Sequence, residues 1–393
     1  MELTPPRGTR DFYPEDMRIR QWLFEKFRQT SHVFGFEEYD APVFESLELF
    51  IRKGGEEIVD QIYNFKDKSD RELALRPEMT PSLVRMIIQK GNALPKPIKW
   101  FSIPQCFRYE RMSKARRREH FQWNLDIIGE SSIRADTEVI GAVIHLLRSI
   151  GLSNNDFRVH ISNRKLLSDL LQSEKIQEDK ITDVFLVIDK LDKIPEETFG
   201  ELLKEKGLTH NEISKIFGIL QLRSFPDIKK RIPTSEGVHE IDQLFKYLSY
   251  YGYDINCTFD IAVVRGLLYY TGTVFEVFDS EKKFRAICGG GRYDKLFGDL
   301  GKTDVSAVGV GFGDVVISEV LKEKNLLPNP TRTLDYFIIP FSENEVEIAY
   351  KIAGALRKNN YDVEMPLSIL KMKKALGLAG ETYARYALIV APE

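Results

Sequence analysis

The chain has 393 residues, 43% hydrophobic and 29% charged, which allows two or three domains with a real core and excludes a disordered chain. Against 59 Asp and Glu stand 56 Lys and Arg, a formal charge of -3, so no global basic surface draws nucleic acid and any RNA site must be a local patch. Cys106, Cys257 and Cys288 lie far apart with no CxxC pair, which points away from a zinc knuckle or a disulfide framework and fits a reducing compartment.

The opening Met1-Glu2-Leu3-Thr4-Pro5-Pro6 lacks the charged-then-apolar pattern of a signal peptide, and no apolar run approaches the roughly 18 residues of a membrane span. The reading is a soluble cytoplasmic protein without a membrane partner, or an organellar one whose transit peptide has been removed.

Pro14 to His32 reads as a helix, with Pro14 near its start, Gly35 past its end, and Ile19, Trp22, Leu23 and Phe27 on one face. A second helix opens at Thr80-Pro81, with Thr80 as its cap, and stops at Gly91; a third spans about Asp136 to Ile150. Between them lie β-rich runs at Trp100 to Ile103, Gln122 to Ile128 and Arg158 to Ile161. From about Asn163 to Tyr251 the chain reads as a helical insertion with Lys/Glu-rich faces. Strands return at Ile255 to Ile261, Thr271 to Phe278 and Phe284 to Cys288, the last two joined by a hairpin turn at Asp279 to Lys283. A strand and helix over Ser306 to Lys322 close an α+β domain around an antiparallel sheet.

Residues 327–334, with Pro328 and Pro330, form a linker between domains at 1–326 and 335–393. The second is a small α/β domain: a strand at Tyr336 to Pro340, a helix opened by the capping box Ser342-x-x-Glu345, then Asp362 to Met365, Ile369 to Leu376 and Tyr386 to Val390.

Four segments concentrate unusual chemistry. Leu75-Arg76-Pro77-Glu78-Met79-Thr80 sets a carboxylate and a hydroxyl at a helix start, as a plain cap or as a binding group. Phe107-Arg108-Tyr109-Glu110-Arg111, then Lys114, Arg116-Arg117-Arg118 and Glu119-His120-Phe121-Gln122, is the local basic patch, a solvated turn or a phosphate and RNA contact. Arg265, within Val264-Arg265-Gly266-Leu267-Leu268-Tyr269-Tyr270, needs an anionic partner, whether structural or a ligand. Gly289-Gly290-Gly291 lets a backbone approach a ligand closely or makes an ordinary turn.

Together these segments carry a family resemblance. Phe107 to Arg111 with its basic loop resembles motif 2 of class II aminoacyl-tRNA synthetases, and Arg265-Gly266-Leu267-Leu268-Tyr269-Tyr270 resembles the histidine-binding signature of histidyl-tRNA synthetases. Arg7-Gly8-Thr9-Arg10-Asp11-Phe12, Leu75-Arg76-Pro77-Glu78 and Gly290-Gly291-Arg292-Tyr293-Asp294 are similar to further family motifs, and Pro42 resembles the motif 1 proline of the dimer interface. The resemblance implies a class II antiparallel-sheet catalytic domain carrying the helical insertion, followed by an anticodon-binding-like α/β domain that ends early, as if truncated. It implies histidine, ATP, Mg²⁺ and histidine tRNA as ligands, and a homodimer.

By the same resemblance, Arg108 and Arg265 are catalytic. Glu78, Thr80, Gln122, Asp126, Tyr269 and Tyr270 hold histidine, with Asp126 and Tyr270 on the imidazole. Arg108, Glu110, His120, Phe121 and Arg292 hold ATP, and Arg111, Lys114, Arg116, Arg117 and Arg118 meet tRNA. Two positions depart from the pattern. The imidazole-reading acid is usually Glu, and Asp126 is shorter by one methylene, roughly 1.5 Å, so a tyrosine or a water closes the gap. Motif 3 usually ends Gly-Leu-Glu-Arg, its arginine on the ATP γ-phosphate, whereas Val316 stands there in Gly313-Asp314-Val315-Val316, leaving Arg292 or a motif 2 loop arginine to substitute. The absent arginine keeps open an alternative, a non-catalytic histidine-binding regulatory subunit of ATP phosphoribosyltransferase. An RNA-binding module without catalysis is a third reading, which leaves Glu78, Gln122 and Arg265 unexplained.

Overall fold

The computed structural model describes residues 3–54, 61–110, 115–191, 194–222, 224–266, 269–299, 304–329 and 331–392. Contacts divide the chain into two compact units, Met1–Asp11 with Arg20–Leu327, and Phe12–Ile19 with Pro328–Glu393.

Nine strands among the described residues of the larger unit form one mixed, mostly antiparallel sheet. From one edge the order is Glu37–Glu38, Ile98–Ser102, Glu119–Ile128, Ala307–Gly313, Cys288–Arg292, Thr273–Asp279, Phe157–Asn163 and Cys257–Phe259, with Gln105–Phe107 pairing separately with Glu119–Ile128. Only the outermost pairs, Glu37–Glu38 with Ile98–Ser102 and Phe157–Asn163 with Cys257–Phe259, are parallel. The fold is therefore α+β around a largely antiparallel sheet.

Strand alternation gives this sheet two different faces. Trp123, Leu125 and Ile127 enter a core with Val139, Ile140, Val143, Leu146 and Leu147 of the helix Ile133–Ser149. Val308, Val310 and Phe312 of the next strand, then Phe275 and Val277, continue that apolar face. The helix begins at Ile133, earlier than expected, with Ser132 at its N-cap position. The intervening residues point the other way and build the site described below.

Among the described residues, six helices lie between the strands Phe157–Asn163 and Cys257–Phe259: Arg164–Ser173, Glu178–Ile188, Glu196–Glu205, His210–Leu220, Phe225–Arg231 and Glu236–Tyr250. The last packs on Ile133–Ser149 and Arg164–Ser173, where Gly237 leaves no room for a side chain: a Cβ there would stand 2.3 Å from the Leu166 nitrogen.

Two local expectations need correction. The strand expected at Phe284 to Cys288 is Cys288–Arg292, so the three glycines are central strand rather than turn. Their poor intrinsic strand preference yields to tertiary packing, because a Cβ on Gly290 would lie 2.1 Å from the Gly309 carbonyl oxygen. The helix Thr80–Lys90 has Met79 at its N-cap position with no side-chain cap, so Thr80 is its first residue and not its cap.

In the smaller unit, Leu334–Pro340 lies between Val363–Glu364 and Ala384–Val390 in a parallel three-stranded sheet. Ser342 and Glu345 form the expected capping box before the helix Val346–Lys358, and the following helix is Met372–Glu381, later than expected.

Candidate active site

The site is laid out by one strand. On Glu119–Ile128, His120, Gln122, Asn124 and Asp126 occupy the face opposite Trp123, Leu125 and Ile127, spanning about 20 Å at the usual rise per residue. The neighbouring strand Ala307–Gly313 pairs antiparallel with it, Gly309 opposite Asp126, Gly311 opposite Asn124 and Gly313 opposite Gln122.

Glycine occupies these positions because the site's side chains lie flat across the sheet. A Cβ on Gly309 would sit 1.9 Å from Asp126 Oδ1, and one on Gly311 would sit 1.8 Å from Gln122 Nε2. On the next strand, a Cβ on Gly289 would meet Arg265 Nη1 at 2.2 Å. Gly289 pairs with Gly311 on one side and with Glu276 on the other. The glycines thus form a floor that brings polar side chains close to the backbone.

Above this floor opens a cavity of about 1100 Å³. Arg108, Glu110, His120, Gln122, Arg265 and Glu276 line it, together with Ile188, Asp189, Lys190 and Leu191 from the helical insertion. That volume suits a nucleotide and a small second substrate. Arg108 Nε donates to the Pro77 carbonyl at 2.9 Å, tying the strand Gln105–Phe107 and the basic loop to the segment that carries Glu78.

Charge in the cavity is balanced in pairs. Arg265 Nη1 donates to Glu276 Oε1 at 2.7 Å. Burial works against the Arg265 charge, but Glu276 outweighs it and the guanidinium pKa is raised. Glu110 pairs with Arg116. Burial tends to raise the Glu110 carboxyl, yet the hydrogen bond from Arg116 and the charges of Arg108, Arg116 and Arg285 hold it below the usual value. His120, half-buried, is pushed down to about 3 by burial first and the Arg108 charge second, so its ring is neutral at physiological pH.

Beside the cavity lies a buried cluster of phenols and acids. Tyr293 Oη donates to Asp126 Oδ1 at 2.6 Å. The Tyr269 ring stands 4.7 Å from Tyr270 and 5.8 Å from Tyr293, centroid to centroid. Burial, then Tyr270 and the Glu78 charge, raise the Tyr269 hydroxyl well above its ordinary value. Glu78 is itself buried, and Thr80 opens the helix two residues on.

Several predicted residues are therefore together, and others are not. Phe121 faces the helical core: its ring meets Phe24 at 5.1 Å and the Arg20 guanidinium lies 4.8 Å above it, on the side of the sheet away from the cavity. Strand alternation separates it from His120, so unlike His120 it does not line the cavity. Arg292 is also not among the residues that line the cavity. Its guanidinium is buried against Asp136 and donates at 3.1 Å each to the carbonyls of Glu130 and Ser132. Those partners use its hydrogen-bonding capacity and make it a structural ion pair.

Arg117 is exposed and lines the cavity, Arg116 is held by Glu110, and Arg118 stacks 4.0 Å over the Tyr109 ring. Arg111 and Lys114 lie outside the described residues. Several residues of this region were not foreseen from the sequence, Glu276 with its bond from Arg265 among them. Tyr293 was visible only as part of the Gly-rich motif, while Lys282 and Arg285 line the cavity from a stretch read as a polar turn and strand. Arg10 has a structural role, bridging Glu119 at 2.6 Å and Asp314 at 3.0 Å.

Comparison with known proteins identifies the family that shares this sequence and fold. The family described as Histidyl-tRNA synthetase matches residues 8–313, which include every cavity residue but Val315 and Val316. The chain belongs to the histidyl-tRNA synthetase family. A chloroplastic/mitochondrial histidine–tRNA ligase of Arabidopsis thaliana is 44% identical over 391 residues, covering 99% of this chain and 80% of that protein. A histidine–tRNA ligase of Leptospira biflexa is 40% identical over 392 residues, covering 98% and 89%. Among solved structures, the histidyl-tRNA synthetase of Nostoc sp. PCC 7120 superposes with a TM-score of 0.81 at 23% identity, covering 98% of this chain and 91% of that one. The apo S. aureus histidyl-tRNA synthetase gives 0.75 at 25% identity, covering 99% and 91%. The sheet with its glycine floor is thus the histidyl-tRNA synthetase fold.

Proposed function

We propose that the chain is a histidine–tRNA ligase, which activates histidine with ATP to histidyl-adenylate and transfers the acyl group to the 3′ end of histidine tRNA. The observation that carries this reading is the cavity in which Arg108, Arg265 and Gln122 meet over glycine backbone, beside the buried pair Asp126–Tyr293. In the first step a histidine carboxylate oxygen bonds to the α-phosphorus of ATP as the bridging oxygen to the β-phosphate leaves with the electron pair. A carboxylate is already ionised at neutral pH, so this step needs positioning and positive charge rather than a general base.

Arg108 and Arg265 supply that charge. Glu78, Thr80 and Gln122 receive the α-ammonium, while Asp126, held by Tyr293, and the Tyr269–Tyr270 pair read the imidazole. A neutral imidazole offers one donor and one acceptor, which a carboxylate and a phenol satisfy together. Glu110 and the neutral His120 meet the adenine. Mg²⁺ would be carried chiefly by the ATP phosphates and water, with Glu276 on the cavity wall as its protein carboxylate. The ion would neutralise phosphate charge.

Arg117, with Arg116 and Arg118 behind it, meets the tRNA acceptor end through phosphates. A homodimer places Pro42 at its interface, supported by the exposed Val43, Phe44 and Phe65 beside it. No helix of the described residues is long and apolar enough to cross a membrane. The chain works where translation does, in the cytoplasm or in an organelle such as the name of the Arabidopsis relative indicates for that protein. Charging of histidine tRNA with labelled histidine tests the reading: product with histidine and with none of the other amino acids supports it, and no charging by folded protein refutes it.

A further inference from the structure

The cavity has an end that the family's usual pattern does not account for. Val316, in place of the motif 3 arginine, is on its wall, so an apolar side chain faces the position where positive charge is expected. Arg292 is locked on Asp136 and cannot reach in. Arg285, however, lines the same cavity.

Strand register explains why these two positions converge. Cys288 pairs with Phe312 in an antiparallel ladder. Three residues back from Cys288 and four on from Phe312 reach Arg285 and Val316, at the same end of adjacent strands. The loop presenting Arg285 is held on both sides. Asp279 accepts from the backbone nitrogens of Lys283 and Phe284 at 3.0 Å each, and the Ile287 nitrogen donates to the Val277 carbonyl at 2.7 Å.

Arg285 makes no hydrogen bond or ion pair with the described residues, unlike Arg108, Arg116 and Arg265 in the same cavity. Burial, and next the Arg116 charge, depress its pKa, with Arg108 adding to the repulsion and only Glu110 and Glu276 opposing it. An arginine held near other arginines without an anion of its own is arranged for an anion that arrives with the substrate.

We infer that Arg285 takes the place of the motif 3 arginine and binds the β- and γ-phosphates of ATP, holding the pyrophosphate as it leaves. This rests on the reading of the chain as an ATP-using ligase. The side chain is a leaving-group ligand: it supplies a bidentate fork to the phosphates while Arg108 and Arg265 act at the α-phosphate and carboxylate.

The test compares Arg285→Ala and Arg285→Lys with the parent in full-length protein, measuring affinity for ATP and for AMP and the KM of each substrate in pyrophosphate exchange. Loss of one charge-assisted contact predicts an ATP affinity lower by about 10- to 100-fold in Arg285→Ala, with AMP and histidine binding unchanged and lysine restoring part of the loss. A partly exposed side chain that makes no hydrogen bond with the described residues leaves thermal unfolding unaltered. ATP binding that does not change, or AMP binding that falls as far as ATP binding, overturns the inference. If the parent binds ATP and histidine but exchanges no pyrophosphate, the ligase reading fails, whereas the ATP-to-AMP ratio still decides what Arg285 binds.

Discussion

Tyr293 donates a 2.6 Å hydrogen bond to Asp126, joining the strand end after Cys288–Arg292 to the strand Glu119–Ile128 across the intervening Ala307–Gly313. Both residues are buried, and Gly309 beneath Asp126 has no Cβ to obstruct it. The phenol thereby fixes a short carboxylate where the sequence resemblance leads one to expect a longer glutamate.

Tyr293→Phe should therefore raise the KM for histidine by about 10- to 100-fold, the value of one hydrogen bond to a charged group, with the KM for ATP little changed. Steady-state kinetics with each substrate varied in turn measures this. Equal losses for both substrates would mean that the pair only supports the fold.

Two glycine substitutions should separate function from stability. In Gly311→Ala the new methyl meets the far end of Gln122, which can move, so folding survives while the histidine KM rises. In Gly290→Ala it meets the Gly309 backbone at 2.1 Å, which cannot move, and overpacking should cost about 1–3 kcal/mol or more. Urea unfolding beside histidine kinetics reads both.

Arg292→Ala should destabilise the protein by about 3–5 kcal/mol, because it leaves Asp136 buried and unpaired. A lower denaturation midpoint with an unaltered ATP KM in the remaining folded fraction is the expected result. A selective ATP defect at full stability would restore this arginine to the nucleotide site.

His120 makes the pH prediction. Its folded pKa, about 3, lies below the unfolded value near 6.5, so the unfolded chain binds the extra proton between those values. Its contribution to stability is complete above pH 6.5 and is lost as pH falls toward 3. In a nuclear magnetic resonance titration of the folded protein, the ring should show no midpoint between pH 8 and 5, and a midpoint near 6.5 would contradict the geometry.

Local signals in the sequence carried much of the fold. The helix Pro14–Val33 shows its period, and Ser342 with Glu345 shows its cap. What stayed hidden depends on partners distant in the chain. Gly289-Gly290-Gly291 is strand because neighbouring strands leave space for nothing larger, and a propensity argument sees only the glycines. Arg292 looks like any cavity arginine until Asp136, 156 residues away, is found beneath it. Phe121 and His120 are adjacent in sequence, and only the identity of the buried face tells that they part. Arg285 sits in a charged stretch whose nearness to Val316 follows from a ladder not legible before the strand was assigned.

The most direct measurement is exchange of labelled pyrophosphate into ATP by the full-length protein, with histidine and with close analogues of histidine in parallel. The account predicts exchange that requires histidine and is not supported by the analogues, despite valine at 316. Histidine binding by folded protein without any exchange would contradict it and indicate a histidine sensor built on the same fold.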